Sequence, residues 1–214
     1  MKRLNGKILK SEFFVFMNSF AGIYILNASK YAIDSYSVES IQAIFGYIMM
    51  PATVMTLFAQ FILLPFLGKF KELFEQKKVN ELKGLGFKIK LIVIAFGAFA
   101  VALAYLIGIQ VLTLIYGVEL SSYRIFLVSI IASYIMYAIS YINLVLLTTI
   151  RKTFIQFVIY LICMVVAFVG SNILVKQYGI TGATVSTVVT LTVQFILYII
   201  VTNIEFAKLR KSKG

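Results

Sequence analysis

The chain has no histidine, no tryptophan, one cysteine, two prolines and only eight acidic residues among 214. Without imidazole there is no histidine general base, proton shuttle, or histidine-ligated metal or haem site, so enzymes built on those groups are excluded. Cys163 can form neither an internal disulfide nor a cysteine metal cluster; set in the apolar run LICMVV, it reads as a packing residue. No metal and no cofactor is expected. Charge is scarce as well: 13% of residues are charged, against roughly a quarter in soluble domains. What is abundant is apolar surface, 61% of the residues with a mean hydropathy of +0.98. So few polar residues could not cover a globule of this size, and the chain reads as an integral membrane protein.

Twenty Lys and Arg against eight Asp and Glu give a net charge of +12. On a soluble chain this excess would suggest nucleic-acid binding. On a membrane chain it mostly records which loops stay in the cytoplasm, and no nucleic-acid partner is expected.

A spanning helix needs about 20 predominantly apolar residues. Six runs of that kind are bounded by charge, Gly, Pro or Asn: Glu12–Ser29, Ser40–Leu67, Ile89–Gly117, Tyr123–Ile150, Thr153–Lys176 and Ile180–Glu205. The expected fold class is therefore all-α, a polytopic bundle of six transmembrane helices over 12–206. A basic N-terminus, 1–11, and a basic tail, 207–214, flank it. With the N-terminus placed in the cytoplasm, only Lys30, Arg124 and Lys176 of the twenty cations fall outside. Every loop then obeys the positive-inside rule, so both termini are expected to be cytoplasmic. A secretory leader ending near Asn27-Ala28-Ser29 is the rival reading of the front of the chain. Glu12 and Asn18 are poor residues for a leader core, and no clean A-x-A site follows.

Between the second and third runs, residues 68–90 read GKFKELFEQKKVNELKGLGFKIK. Phe70, Leu73 and Phe74 recur there at helical spacing among Lys and Glu, a pattern that suits a short amphipathic helix in the cytoplasmic headgroup layer. A solvated loop with one apolar contact is the plainer alternative. Tyr31, Tyr36, Tyr116, Tyr123 and Tyr178 fall near the proposed outer ends, where amphipathic rings favour the interface.

Within the runs, small residues repeat at helix-packing spacing. Gly182, Ser186, Thr190 and Gln194 form a stripe in the last run, with Ala98/Ala102 and Ala100/Ala104 in the third and Ser129/Ser133 in the fourth. Helix packing explains these better than substrate contact. Asn18, Gln60, Gln110, Asn143, Gln156, Asn172 and Gln194 each need a partner or water inside the bilayer. Nearly all are neutral amides, and the eight acids lie at run ends or in loops. The mid-membrane carboxylate of a cation-coupled transporter is not apparent. Pro51 lies inside the second run, where it removes a backbone hydrogen bond and tends to kink the helix. The first run carries Asn18, Ser19 and Gly22 and ends in NASKYAID. Such a pair of helices serves either packing alone or a water-filled path between them.

The stretches FFVFMNSFAGIYILNASKYAID, IQAIFGYIMMPATVMTLFAQFILLPFLGKF and LIYGVELSSYRIF resemble the later half of bacterial oligosaccharide flippases. These belong to the multidrug/oligosaccharidyl-lipid/polysaccharide exporter superfamily. The resemblance runs along essentially the whole chain, on loose motifs with no catalytic signature. It implies a two-lobed, alternating-access transporter of the bacterial inner membrane. Such a transporter moves a lipid-linked oligosaccharide of the polyprenyl pyrophosphate type outward for O-antigen, capsule or other surface polysaccharide. This chain would be its C-terminal lobe, with the N-terminal lobe or a second subunit as partner, and it would catalyse no covalent step. The resemblance also implies that the first two helices face the cavity. Asn18, Asn27, Lys30 and Gln60, then Tyr31 and Asp34, are accordingly the candidate substrate-path residues, with Gly22 and Pro51 bending the helices. Lys30 would attract phosphate at the outer mouth, or pair with Asp34. The competing readings are a multidrug exporter lobe of the same superfamily, a membrane-embedded glycosyl- or phosphotransferase, and a non-transporting membrane subunit. A transferase would need converging acids, and Glu72, Glu75 and Glu81 are instead interleaved with Lys.

Overall fold

The computed structural model describes the backbone of residues 2–211, and side chains from Phe13 onward other than Val15. The chain is all-α. Helix α1 (Lys2–Tyr36) is followed by α2 (Glu39–Leu63), a 3-10 turn at Leu64–Phe66 and α3 (Leu67–Glu75). Helix α4 (Val79–Leu103) continues through a π-helical turn, Ala104–Gly108, into α5 (Ile109–Tyr116). A short 3-10 turn then leads into α6 (Arg124–Thr149), and α7 (Thr153–Lys211) completes the chain.

Four of the resulting rods are long and apolar enough to cross a membrane: Glu39–Glu75, Val79–Tyr116, Ser121–Thr149 and Thr153–Lys211. They make the chain a multi-pass membrane protein. Six such spans were expected, and the difference has two physical sources. Helix α1 is long, but it mixes Asn18, Ser19, Asn27, Ser29, Lys30 and Asp34 with its apolar residues, which holds its hydropathy down. The expected fifth and sixth runs lie in one 59-residue rod, α7, broken only at Gly179, whose φ 55° and ψ −129° are non-helical. There the chain folds back sharply. A methyl group placed on Gly182 would collide with the backbone of Leu174, and one on Gly170 would lie 3.1 Å from the Ser186 hydroxyl. The two arms of α7 therefore run side by side.

Short turns join the rods, and a left-handed residue closes several of them. Lys77 and Arg151 have φ of 58° and 61°. In both turns the next amide reaches back to a helix carbonyl, Lys78 to Leu73 at 2.8 Å and Lys152 to Leu147 at 2.9 Å, the bonding of a Schellman cap. Gly117 closes α5 with φ 66°.

The segment 68–90 is almost entirely helical rather than a loop. Pro65 sits in the 3-10 turn, and α3 continues from it with Phe70 and Leu73 buried against α4 and α6. Its apolar face therefore contacts protein instead of headgroups, while its charged face carries the Lys69–Glu72 and Lys71–Glu75 pairs. Lys and Glu are good helix formers, which is why α4 begins at Val79, well before the apolar run.

Helix α6 is the hub. Of its most apolar window 56% is buried, against 22% for Val79–Tyr116, and it packs on α2, α4 and α7. Helix α1 lies along α7, joined by Phe14 against Phe154 and Phe157 and by a hydrogen bond from Thr187 to Ser29 of 2.9 Å. Stacked rings, Phe58 on Phe96 and Tyr47 on Tyr116, join α2 to the α4–α5 rod. Outward faces remain apolar, with Leu114 and Ile125 85% and 75% exposed; such side chains suit lipid. The Gly182, Ser186, Thr190, Gln194 stripe is buried between helices, whereas Ala98 and Ala102 are exposed.

Candidate functional site: a polar groove between four helices

A helix brings residues three, four and seven apart onto one face, and this periodicity assembles the groove. From α1 come Asn18, Ser19, Gly22 and Leu26; from α2, Thr56 and Gln60; from α6, Tyr137, Tyr141 and Thr148; from α7, Gln156 and Tyr160. Together they enclose about 580 Å³, within the range of ligand pockets. A second cavity of about 270 Å³ abuts it at Leu26 and Thr56 and adds Asn27, Lys30, Thr53 and Tyr134. Among the described residues no carboxylate lines either one.

The polar atoms of this groove fall into two sets. Gln156 is committed to structure, since its amide nitrogen donates to the Leu144 carbonyl at 3.1 Å and the Thr148 hydroxyl at 3.0 Å. That clamp fixes the start of α7 against α6. Asn27 likewise donates to the Ile23 carbonyl at 2.8 Å. By contrast, Asn18 Oδ1 and Thr56 Oγ1 are buried and have no protein hydrogen-bond partner. An unmet buried acceptor costs about 1–3 kcal/mol, so these two oxygens require water or a polar ligand in the hollow beside them.

Of the residues singled out in the sequence, Asn18, Gly22 and Gln60 meet at the larger cavity and Asn27 and Lys30 at the smaller. Tyr31 and Asp34 line neither. Tyr31 is exposed, roughly 100° around α1 from Lys30, with its ring against Tyr24. Asp34 accepts a hydrogen bond of 2.9 Å from Gln42. That contact ties the end of α1 to the start of α2, and no Lys30–Asp34 ion pair forms among the described residues. Helix α1 passes through Gly22 without a break. There, a methyl group would stand 3.3 Å from the Tyr160 ring, so the glycine makes room for α7 instead of bending α1. Pro51 lies inside α2, where it deprives the Tyr47 carbonyl of its helical donor; one turn on, the Thr53 hydroxyl bonds the Met50 carbonyl at 2.6 Å.

Thr56, Tyr137, Tyr141, Thr148 and Tyr160 were not anticipated. Thr53, Thr56 and Gln60 fall on one face of the proline-bearing helix, and Tyr137 and Tyr141 are one turn apart, so the signal was present as spacing. Hydroxyls are unremarkable inside a membrane helix because most bond their own backbone. Only the fold distinguishes Thr56, which does not.

No family model, no curated protein and no solved structure matches the chain.

Proposed function

We propose that the chain is one lobe of a lipid-linked oligosaccharide flippase of the bacterial inner membrane, carrying cargo for cell-surface polysaccharide synthesis. In this reading α1 and both arms of α7 also cross the bilayer. That gives six crossings, with both termini in the cytoplasm. The observation that carries the reading is the groove among α1, α2, α6 and α7, with its amide and hydroxyl lining and the unpartnered oxygens of Asn18 and Thr56.

The cargo has a sugar and a pyrophosphate that cannot enter hydrocarbon, and a polyprenyl tail that can. A passage for it needs hydrogen-bonding groups that exchange readily with hydroxyls, and a field that does not repel anions. Asn18, Gln60 and Thr56 supply the first. A lining without acids among the described residues, with Lys30 at one end, supplies the second. The groove provides one wall only, so a second lobe, in the same polypeptide or another, supplies the facing wall. No covalent step is involved.

The test is made in the producing cell. Asn18→Ala combined with Gln60→Ala is expected to lower surface polysaccharide severalfold at unchanged membrane abundance, with lipid-linked oligosaccharide accumulating inside. Unchanged polysaccharide would contradict the assignment.

A further inference from the structure

A second groove lies on the opposite side of α6. Tyr137, Tyr141, Leu144 and Thr148 face the first groove, whereas Ile139, Asn143 and Leu146 face the second. At about 100° per residue the two sets are roughly half a turn apart, so α6 is the partition between them. The second groove encloses about 400 Å³ between α4, α6 and the second arm of α7.

Its lining is divided by chemistry. On α4, Lys83 and Lys90 share a face with Phe87, Leu91 and Ile94. The two lysines stand about 10 Å apart along the axis, a separation that flexible four-carbon stems can close onto one anion. Lys90 is only partly exposed, and its ammonium donates one hydrogen bond, to Asn143 Oδ1. Asn143 is fully buried and is anchored by its own bond to the Ile139 carbonyl at 3.2 Å. Across the groove Thr202 is 5% exposed, and its hydroxyl has no partner. Among the described residues no acid lines the groove. A lysine half-buried against an apolar wall is costly unless an anion or ordered polar groups meet it, and one neutral amide takes only one of its three donors.

We propose that this groove binds one anionic phospholipid from the leaflet at the basic end of the bundle. Its phosphodiester sits between Lys83 and Lys90 and accepts from the Thr202 hydroxyl. Its acyl chains run along Leu91, Ile94, Phe195 and Ile199, the apolar part of the same lining. A free phosphate ion would use the cations but leave that apolar wall bare. The site is separate from the polar groove and does not depend on what that groove carries.

Native mass spectrometry of the delipidated full chain, titrated with phosphatidylglycerol or phosphatidylcholine of identical acyl chains, tests the site. The wild type should prefer phosphatidylglycerol, and each lysine removed should weaken that preference on the order of fivefold. The variants are Lys83→Gln, Lys90→Gln and the double variant, with Thr202→Val weakening binding without a change of charge. Lys83 is exposed, so Lys83→Gln keeps its fold and reports even if Lys90→Gln does not. Equal binding of the two lipids, or a preference unaffected by Lys83→Gln, would overturn the proposal. Displacement of phosphatidylglycerol by millimolar inorganic phosphate would also overturn it, by showing that the site takes the free ion.

Discussion

Glu205 is 3% exposed, yet it is a carboxylate, held by Lys152 at 2.8 Å and Lys208 at 2.6 Å. Lys152 belongs to the turn between α6 and α7 and Glu205 to the end of α7, so this triad ties the last arm to that turn. The lysines are 40% and 66% exposed, which makes the effects of substitution unequal. Lys152→Met with Lys208→Met strands a buried charge and should cost roughly 3 kcal/mol. Glu205→Gln leaves two cations that water can solvate, and should cost about 1 kcal/mol or less. Thermal unfolding of both variants in detergent measures the order, and a more damaging Glu205→Gln would contradict it. Thr56 gives the opposite behaviour. Because its buried oxygen has no partner, Thr56→Val should leave the thermal midpoint unchanged or raise it, and under the proposed function it should lower transport. A fall in stability would show that the hydroxyl serves packing.

At the scale of elements, the fold-back of α7 rests on two glycines. Gly179 has a backbone conformation that side chains with a Cβ rarely adopt, so Gly179→Ala should destabilise by about 1–3 kcal/mol. Gly182 lies against the Leu174 backbone, which cannot yield as a side chain does, so Gly182→Ala should be worse still. Gly84 on α4 has nothing within 4 Å of an added methyl group, and Gly84→Ala should stabilise by roughly 0.5–1 kcal/mol. Melting curves of the three variants check the ranking. The stripe beginning at Gly182 was legible because four-residue spacing of small groups marks a helix seam. So were the ends of most apolar runs, where Gly117, Arg151 and Gly179 interrupt the pattern. In residues 68–90 the helical spacing of Phe70, Leu73 and Phe74 was legible, but not its partner, because a charged helix lying on headgroups and one lying on neighbouring helices share a composition; only the burial of Phe70 and Leu73 against α4 and α6 separates them. In the candidate site the amides of Asn18 and Gln60 stood out against hydrocarbon. The roles of Gln156 as a clamp and of Asp34 as a tie to Gln42 depend on neighbours remote in sequence.

For the molecule as a whole, α6 divides two grooves of different chemistry: one neutral and hydrogen-bonding, the other cationic above an apolar wall. In the proposed reading the chain is one lobe and offers a cargo a single wall. Purified chain reconstituted without a second lobe should therefore move no lipid-linked oligosaccharide across vesicles, and flipping by the lone chain would refute the one-wall account. The central claim is that the groove bearing Asn18 and Gln60 holds water. Cys163 is the chain's one cysteine and is buried, so a Cys163→Ser background accepts single cysteines cleanly. Thiols react as thiolates, which form in water and not in hydrocarbon. In membrane fragments open to reagent from both faces, Asn18→Cys, Thr56→Cys and Gln60→Cys should react with a membrane-impermeant maleimide, while Leu114→Cys on the outward apolar face should stay unmodified. Groove positions as unreactive as Leu114→Cys would contradict the account.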